Sequence, residues 1–459
     1  MKLHTGSMLQ GPLLSNIITY TVPIILTSLI QLLFNAADLV IVGRFCGSVS
    51  VAAVGATGAI TALIVNLFIG LATGAGVCVA HALGSRENEV ARRTVHTAVP
   101  LAVIMGLILT VIGVGLAEKL LMIMGTPETV LPLSTLYMQI YFGGMVFNMV
   151  YNFVASILRA AGDTKSPLVI LSVAGVLNVL LNVVFVTALD MNVAGVALAT
   201  TLSQAVSAVW VIWVLMHRED ACRFSFKKMH IYKAPFYKML KIGLPAGIQG
   251  SVFSISNVII QSSVNSFGDV VMSGNAAAGN IEGFIYVTQN AFYQTTVNFV
   301  GQNVGAGQYK RAKKTVWLCT ASVTVVGLVI GFLAWLGASE LLSIYITDSQ
   351  EAIRYGILRM TYICLPYFLC GAMDIYTGAL RGMGNSLATM VISILGVCGF
   401  RIGWIMTVFQ IPAYHTLPSL YLSYPISWTV TFLIQFVVFL CVYRKHYQKA
   451  KENGTLKQA

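Results

Sequence analysis

Apolar runs of twenty or more residues recur along this chain from end to end, and nothing else in it limits the possible folds so severely. Twelve stand out, roughly at 13–42, 51–80, 94–116, 130–158, 166–188, 192–216, 237–265, 271–300, 315–336, 355–380, 386–409 and 417–443. About twenty residues of α-helix, rising about 1.5 Å each, cross a hydrocarbon layer roughly 30 Å thick. A membrane β-barrel would instead show segments of about ten residues with alternating polarity, and these runs are continuous. With 57% hydrophobic residues, 10% charged residues and a mean hydropathy of +0.80, little is left over for a soluble domain. The expected fold class is all-α and integral to the membrane, with twelve transmembrane helices.

The chain also repeats itself. VAHALGSRENEVARRTV, from Val79, returns as VGQNVGAGQYKRAKKTV, from Val300, with Gly84 answering Gly305 and each copy closing on a basic pair followed by Thr-Val. SILRAAGDT around Arg159 returns as GALRGMGNS around Arg381, and Pro23 returns as Pro245. A period near half the chain length dictates architecture. It divides the sequence into an N-terminal six-helix lobe (1–216), a basic linker (217–236), a C-terminal six-helix lobe (237–443) and a basic tail (444–459). Six is even, so both halves begin and end on one side, and the repeat is parallel: two pseudo-symmetric lobes about an axis along the membrane normal. The echoed segments are equivalent loops of the two lobes. A tight turn at a helix end, followed by lipid anchors, accounts for them without any direct part in transport.

Lysine and arginine fix the expected orientation. One set of alternate loops, with the two termini, carries 23 of them; the opposite loops carry Arg44, Lys119, Arg354 and Arg359. The positive-inside rule then puts both termini in the cytoplasm of a cell-membrane protein. The net charge of +12 belongs to loops that meet anionic lipid, so nucleic acid is not an expected partner. No cleavable leader is evident before the first apolar run. The eight cysteines are scattered, with no CxxC, and read as small buried hydrophobes; no metal centre is expected.

TGSMLQGPLLSNIITYTVPIIL, then NAADLVIVGR, then VGQNVGAG with its basic pair, then LRGMGN, resemble in that order the multidrug and toxic compound extrusion (MATE) family over nearly the whole chain. The resemblance implies a two-lobed exporter that exchanges sodium ions or protons for amphipathic, usually cationic, drugs and dyes by alternating access. It implies no cofactor, and a monomer is expected.

Three carboxylates fall inside apolar runs: Asp38, Glu282 and Asp374. A charge near the bilayer centre costs about 2.5–3.5 kcal/mol even on the lenient insertion scale, so such residues face a cavity or a partner. Asp38 shares a helical face with Thr27, Gln31 and Asn35; Asn178 lies one turn from Asn182, and Thr200 one turn from Gln204. These groups suit a hard monovalent cation or a proton, and they also suit ordinary hydrogen bonding between packed helices. The family's amino-terminal cation site carries over to Asp38, Asn178, Asn182 and Thr200. Asn182 stands where some members have aspartate, which favours sodium over a proton shared by two carboxylates.

Helix eight carries a stripe of Asn275, Gly279, Glu282, Tyr286, Gln289, Tyr293 and Thr296, and helix ten adds Tyr367 and Asp374. Carboxylates beside tyrosine rings suit cationic amphiphiles, so Glu282, Tyr286, Gln289, Tyr293, Tyr367 and Asp374 are the candidate cargo wall. Arg401, a base inside helix eleven, is a possible charge partner for either acid. With no phosphate-cradling GxxxxGK[ST] in the sequence, ATP is not the expected energy source. A membrane enzyme lacks its constellation, there being no HExxH and no histidine pair at ligand spacing. A flippase for lipid-linked oligosaccharides, of a related two-lobed fold, is the alternative transporter; it would need a cationic cavity, against three acids and one base here.

Overall fold

The computed structural model describes residues 8–347 and 349–456, so Lys2 and Lys457, counted above among the basic residues of one side, lie outside the described residues. Among the described residues, twelve long helical elements follow one another. They are α1 (Leu13–Phe45), α2 (Ser48–Gly84), α3 (Asn88–Ile123), α4 (Leu131–Gly143 with Met145–Ala160), α5 (Lys165–Val183, continued by a π-turn over Val184–Ala188) and α6 (Asn192–Met216). The second set is α7 (Lys233–Asn265), α8 (Asp269–Gly305), α9 (Tyr309–Leu336), α10 (Gln350–Ile363 with Tyr367–Gly382), α11 (Ser386–Ser393, a π-turn over Ile394–Gly399, then Phe400–Met406) and α12 (Leu417–Glu452). Nine are single helices long and apolar enough to cross a membrane, and two bent pairs bring the total to 11. The remaining element, α8, has the length but not the hydropathy, because Asn275, Asn280, Glu282, Gln289, Asn290, Gln294, Asn298, Gln302 and Asn303 run along it.

Both bends have local causes. The halves of α4 meet at 48° where Gly143 and Gly144 adjoin, and those of α10 meet at 45° just before Tyr367, where Pro366 interrupts the backbone ladder. Pro23 and Pro245 lie within continuous helices. The repeat reappears in the backbone, since left-handed residues recur at the same spacing: Gly47 (φ 86°) and Gly268 (97°), Arg86 (61°) and Gly307 (73°), Gly162 (90°) and Gly384 (87°). Gly84 and Gly305 are the last helical residues of α2 and α8, and the left-handed turn falls two positions after each.

Contacts gather the described chain into two compact units, residues 22–251 and residues 8–21 with 252 onward. These units do not coincide with the repeat halves on either side of 217–236, for reasons visible in the packing. In unit 1 the first half of α7 lies backbone to backbone on α2: a methyl added at Gly70 would stand 2.1 Å from the Gly247 nitrogen, and one at Gly247 2.0 Å from the Leu67 carbonyl oxygen. Glycines four apart on both helices permit this approach. In unit 2 the start of α1 is held by a Thr21–Thr295 hydroxyl pair at 2.8 Å, by Tyr20 edge-on to Phe299 at 5.3 Å, and by Arg311 donating to the Gly11 carbonyl at 3.1 Å. Unit 1 packs Leu109, Phe142, Met145 and Met149 around Ile60 and Val65; unit 2 centres on Ile285, Met360, Ile363, Leu420 and Tyr421.

The basic linker is folded onto unit 1. Ser225 N–H donates to His96 Nε2 at 3.2 Å, Tyr232 N–H donates to Thr97 Oγ1 at 3.1 Å, and Phe224 is buried against the His96 ring at 5.3 Å. Arg218 reaches Asp163 at 3.7 Å and also pairs with Asp220, whose carboxylate caps the Cys222 N–H at 3.0 Å. Burial disfavours the thiolate and pushes Cys222 up to about 12. Because the thiolate is the nucleophile, Cys222 is expected to resist a water-soluble maleimide at pH 8 in the native protein. In His96→Ala, which removes the acceptor holding Ser225, labelling should rise severalfold. Equal labelling in both proteins, read by mass shift, would mean the linker is not held this way.

Candidate functional site

In unit 1 the structure brings Asp38, Asn178, Asn182 and Thr200 together. Asn182, fully buried, donates through Nδ2 to the Asp38 carboxylate and, at 3.3 Å, to Asn178 Oδ1. Asn178 in turn donates to Thr200 Oγ1 at 3.2 Å, and Thr200 also stands within hydrogen-bonding reach of Asp38. The local folding follows from helical spacing, because Asn178 and Asn182 are one turn apart on α5 and share the face turned to α1 and α6. Asn182 Oδ1 is buried and accepts nothing. Leaving such an acceptor empty costs about 1–3 kcal/mol, and here it belongs to the residue whose Nδ2 faces the Asp38 carboxylate and the Asn178 amide oxygen. Tyr137 of α4 lies close enough to interact with Asp38 electrostatically. Of the remaining polar face of α1, Thr27 is buried and donates back to the Pro23 carbonyl at 2.7 Å, while Gln31 and Asn35 are exposed and stand apart from the cluster.

Unit 2 corrects two expectations. Arg359, expected in an outer loop, is only 9% exposed and sits inside α10. It, not Arg401, is the partner of Glu282, through two parallel bonds, Nε to Oε1 at 2.6 Å and Nη2 to Oε2 at 2.8 Å. Its Nη1 donates to Asn275 Oδ1 at 2.6 Å, which also accepts from the Tyr421 hydroxyl at 3.1 Å, and Asn275 Nδ2 donates to Gln261 at 2.9 Å. Glu282 is thus neutralised within a satisfied network, the condition under which a buried charge is tolerated. A signal for Arg359 was present in the sequence: it continues the buried stripe Ala352, Gly356, Ile363 at helical spacing.

The other members of the expected cargo wall divide. Tyr286 is 45% exposed, whereas the Tyr293 hydroxyl accepts from Arg381 Nη1 and is committed to it. Gln289 is buried with neither amide atom bonded, fitted against Gly371 and Gly327, where an added methyl would come within 2.6 and 2.9 Å of it. Tyr367 packs on Trp428 at 5.2 Å. Asp374 is half-buried and has no hydrogen bond or ion pair among the described residues. Arg401 donates from Nε to Ser427 at 2.9 Å and lies over the Tyr424 ring at 4.0 Å and the Trp428 ring at 5.5 Å. No group of three or more His, Cys, Asp or Glu side chains able to hold a metal ion occurs among the described residues.

A family model described as MatE matches this chain twice, at residues 23–184 and 245–405, each match opening on one of the two repeated prolines. The chain is 28% identical over 387 residues, 84% of its own length and 86% of the relative's, to "Probable multidrug resistance protein YpnP" of Bacillus subtilis (strain 168). It is 25% identical over 404 residues, 86% and 87% of the two chains, to "FAD transporter" of Shewanella oneidensis. Among solved structures, "Outward-facing conformation of a multidrug resistance MATE family transporter of the MOP superfamily" matches with a TM-score of 0.91 at 20% identity, over 97% of this chain and 99% of that one, and shares the fold. Matched by the family model in both halves, and sharing its twelve-helix fold with a MATE structure over nearly its whole length, this chain belongs to the MatE family of membrane transporters and is not an enzyme.

Proposed function

We propose that this protein is a secondary antiporter of the cell membrane, with cytoplasmic termini, that exports amphipathic organic compounds in exchange for a monovalent cation bound by Asp38, Asn178, Asn182 and Thr200. The observation that carries the reading is the unpartnered Oδ1 of buried Asn182 beside the Asp38 carboxylate. A cation there would be ligated by oxygen alone, the preference of a hard ion, and one positive charge neutralises the one carboxylate. Sodium suits this set better than a proton shared between two carboxylates, because Asp38 is its one carboxylate. The names of relatives, a probable multidrug resistance protein and an FAD transporter, support organic cargo. Within unit 2, Asp374 and the exposed face of Tyr286 are the groups left to receive a cationic compound, since Glu282 is engaged by Arg359. A monomer bearing basic loops on anionic lipid completes the reading.

The test is transport of a fluorescent organic cation in proteoliposomes with an imposed sodium or proton gradient. A sodium gradient is expected to drive accumulation against the dye gradient, and a proton gradient at equal sodium to drive less. Accumulation that ignores both gradients would end the antiport reading.

A further inference from the structure

Arg401 is 5% exposed inside a membrane-spanning helix, and among the described residues no carboxylate pairs with it. Its Nε is used by Ser427, but Nη2 is buried and donates to nothing. Tyr424 and Trp428 present ring faces to the guanidinium, and the Tyr367 ring packs tilted against Trp428. Ring faces compensate part of a buried cation's lost hydration; they leave the outward N–H without an acceptor. A second donor of unit 2 is also unfilled. Thr431 Oγ1 is buried without a partner among the described residues, pressed against Gly396 of the π-turn where a methyl would come within 2.3 Å. The interior of unit 2 therefore presents a fixed cation with a free N–H, framed by aromatic rings.

The repeat sharpens this picture. The 222-residue shift that pairs Pro23 with Pro245 sets Asp38 opposite Ile260, and Tyr137 opposite Arg359. Counted the same way, Arg401 falls opposite Val179, and the extra residue that a π-turn takes up ahead of it, at Ile394–Gly399, brings it opposite Asn178. Asp38, Asn178 and Tyr137 of unit 1 thus correspond in unit 2 to Ile260, Arg401 and Arg359, of which Arg359 is paired with Glu282 and Arg401 with no carboxylate among the described residues.

We propose that Arg401 binds a carboxylate carried on an aromatic cargo, with Tyr367, Tyr424 and Trp428 taking the ring. The proposal rests on the exporter reading above and deepens it by naming an acidic aromatic, anionic or zwitterionic, as a class of cargo. A planar guanidinium is the side chain best suited to a carboxylate, and the aromatic frame gives the ring a stacking surface.

The experiment measures equilibrium binding by fluorescence anisotropy in nanodiscs, with no gradient present, so its outcome does not depend on antiport. The probes are a xanthene dye with a free aryl carboxylate and its methyl ester. In Arg401→Gln the acid is expected to bind about tenfold or more weakly, the usual worth of a charge-assisted hydrogen bond, while the ester binds as in wild type. Arg401→Lys, which keeps the charge and loses the fork, should fall between, and it gives the reading if the glutamine variant does not fold. Equal losses for acid and ester, or an acid-to-ester ratio unchanged in both variants, would overturn the proposal and leave Arg401 a packing residue.

Discussion

Asp38→Asn should abolish gradient-driven efflux and leave a folded protein that still binds cargo. The amide keeps the shape of the carboxylate and can accept from Asn182 Nδ2 as Asp38 does. It also brings an N–H group that can fill the empty Oδ1 of Asn182, so the variant satisfies internally what the native cluster leaves for an ion. Folding is spared for the same reason that coupling is lost. The energetic consequence is complete uncoupling: a tenfold ion gradient supplies about 1.4 kcal/mol, and a site that no longer binds the ion transmits none of it. One monovalent ion exchanged for one monovalent cargo moves no net charge, so native transport of such cargo should ignore a membrane potential, whereas a two-ion cycle would gain about 2.3 kcal/mol per 100 mV. Efflux at the native rate with unchanged dependence on external sodium and pH would refute the assignment of Asp38.

The second large effect is on folding. Arg359→Ala leaves Glu282 buried with no counter-charge and strips Asn275 of a donor. Breaking a buried, hydrogen-bonded ion pair from one side costs about 3–5 kcal/mol, a large part of the roughly 5–15 kcal/mol that holds a typical domain together. Little monodisperse protein should be recovered from detergent, and its melting temperature should fall. Replacing both partners, Glu282→Leu with Arg359→Leu, removes the stranded charge and should restore much of the loss. A single Arg359→Ala variant with native yield and melting would show that the pair contributes nothing to stability.

Helix number, the duplication and the polar faces that meet around Asp38 were legible because each depends on spacing along the chain. Apolar runs report spans, the 222-residue echo reports the repeat, and Asn178 with Asn182 reports a face of α5 through helical period alone. What escaped depends on partners far apart in sequence. Arg359 reads as a loop residue by its charge, and only packing shows that it lies between Glu282 and Asn275. Arg401 was seen as an anomaly, but its neighbours Tyr424, Ser427 and Trp428 come from α12. The bend in α10 and the π-turn in α11 displace residues by a fraction of a turn, which no periodicity count resolves.

The two units do not divide where the chain would be cut to separate the repeats. The start of α1 belongs with unit 2 and the start of α7 with unit 1, so each six-helix copy lends its opening turns to the other. Halves expressed as separate polypeptides would each lack a piece that the other carries, and should be recovered intact only when co-expressed.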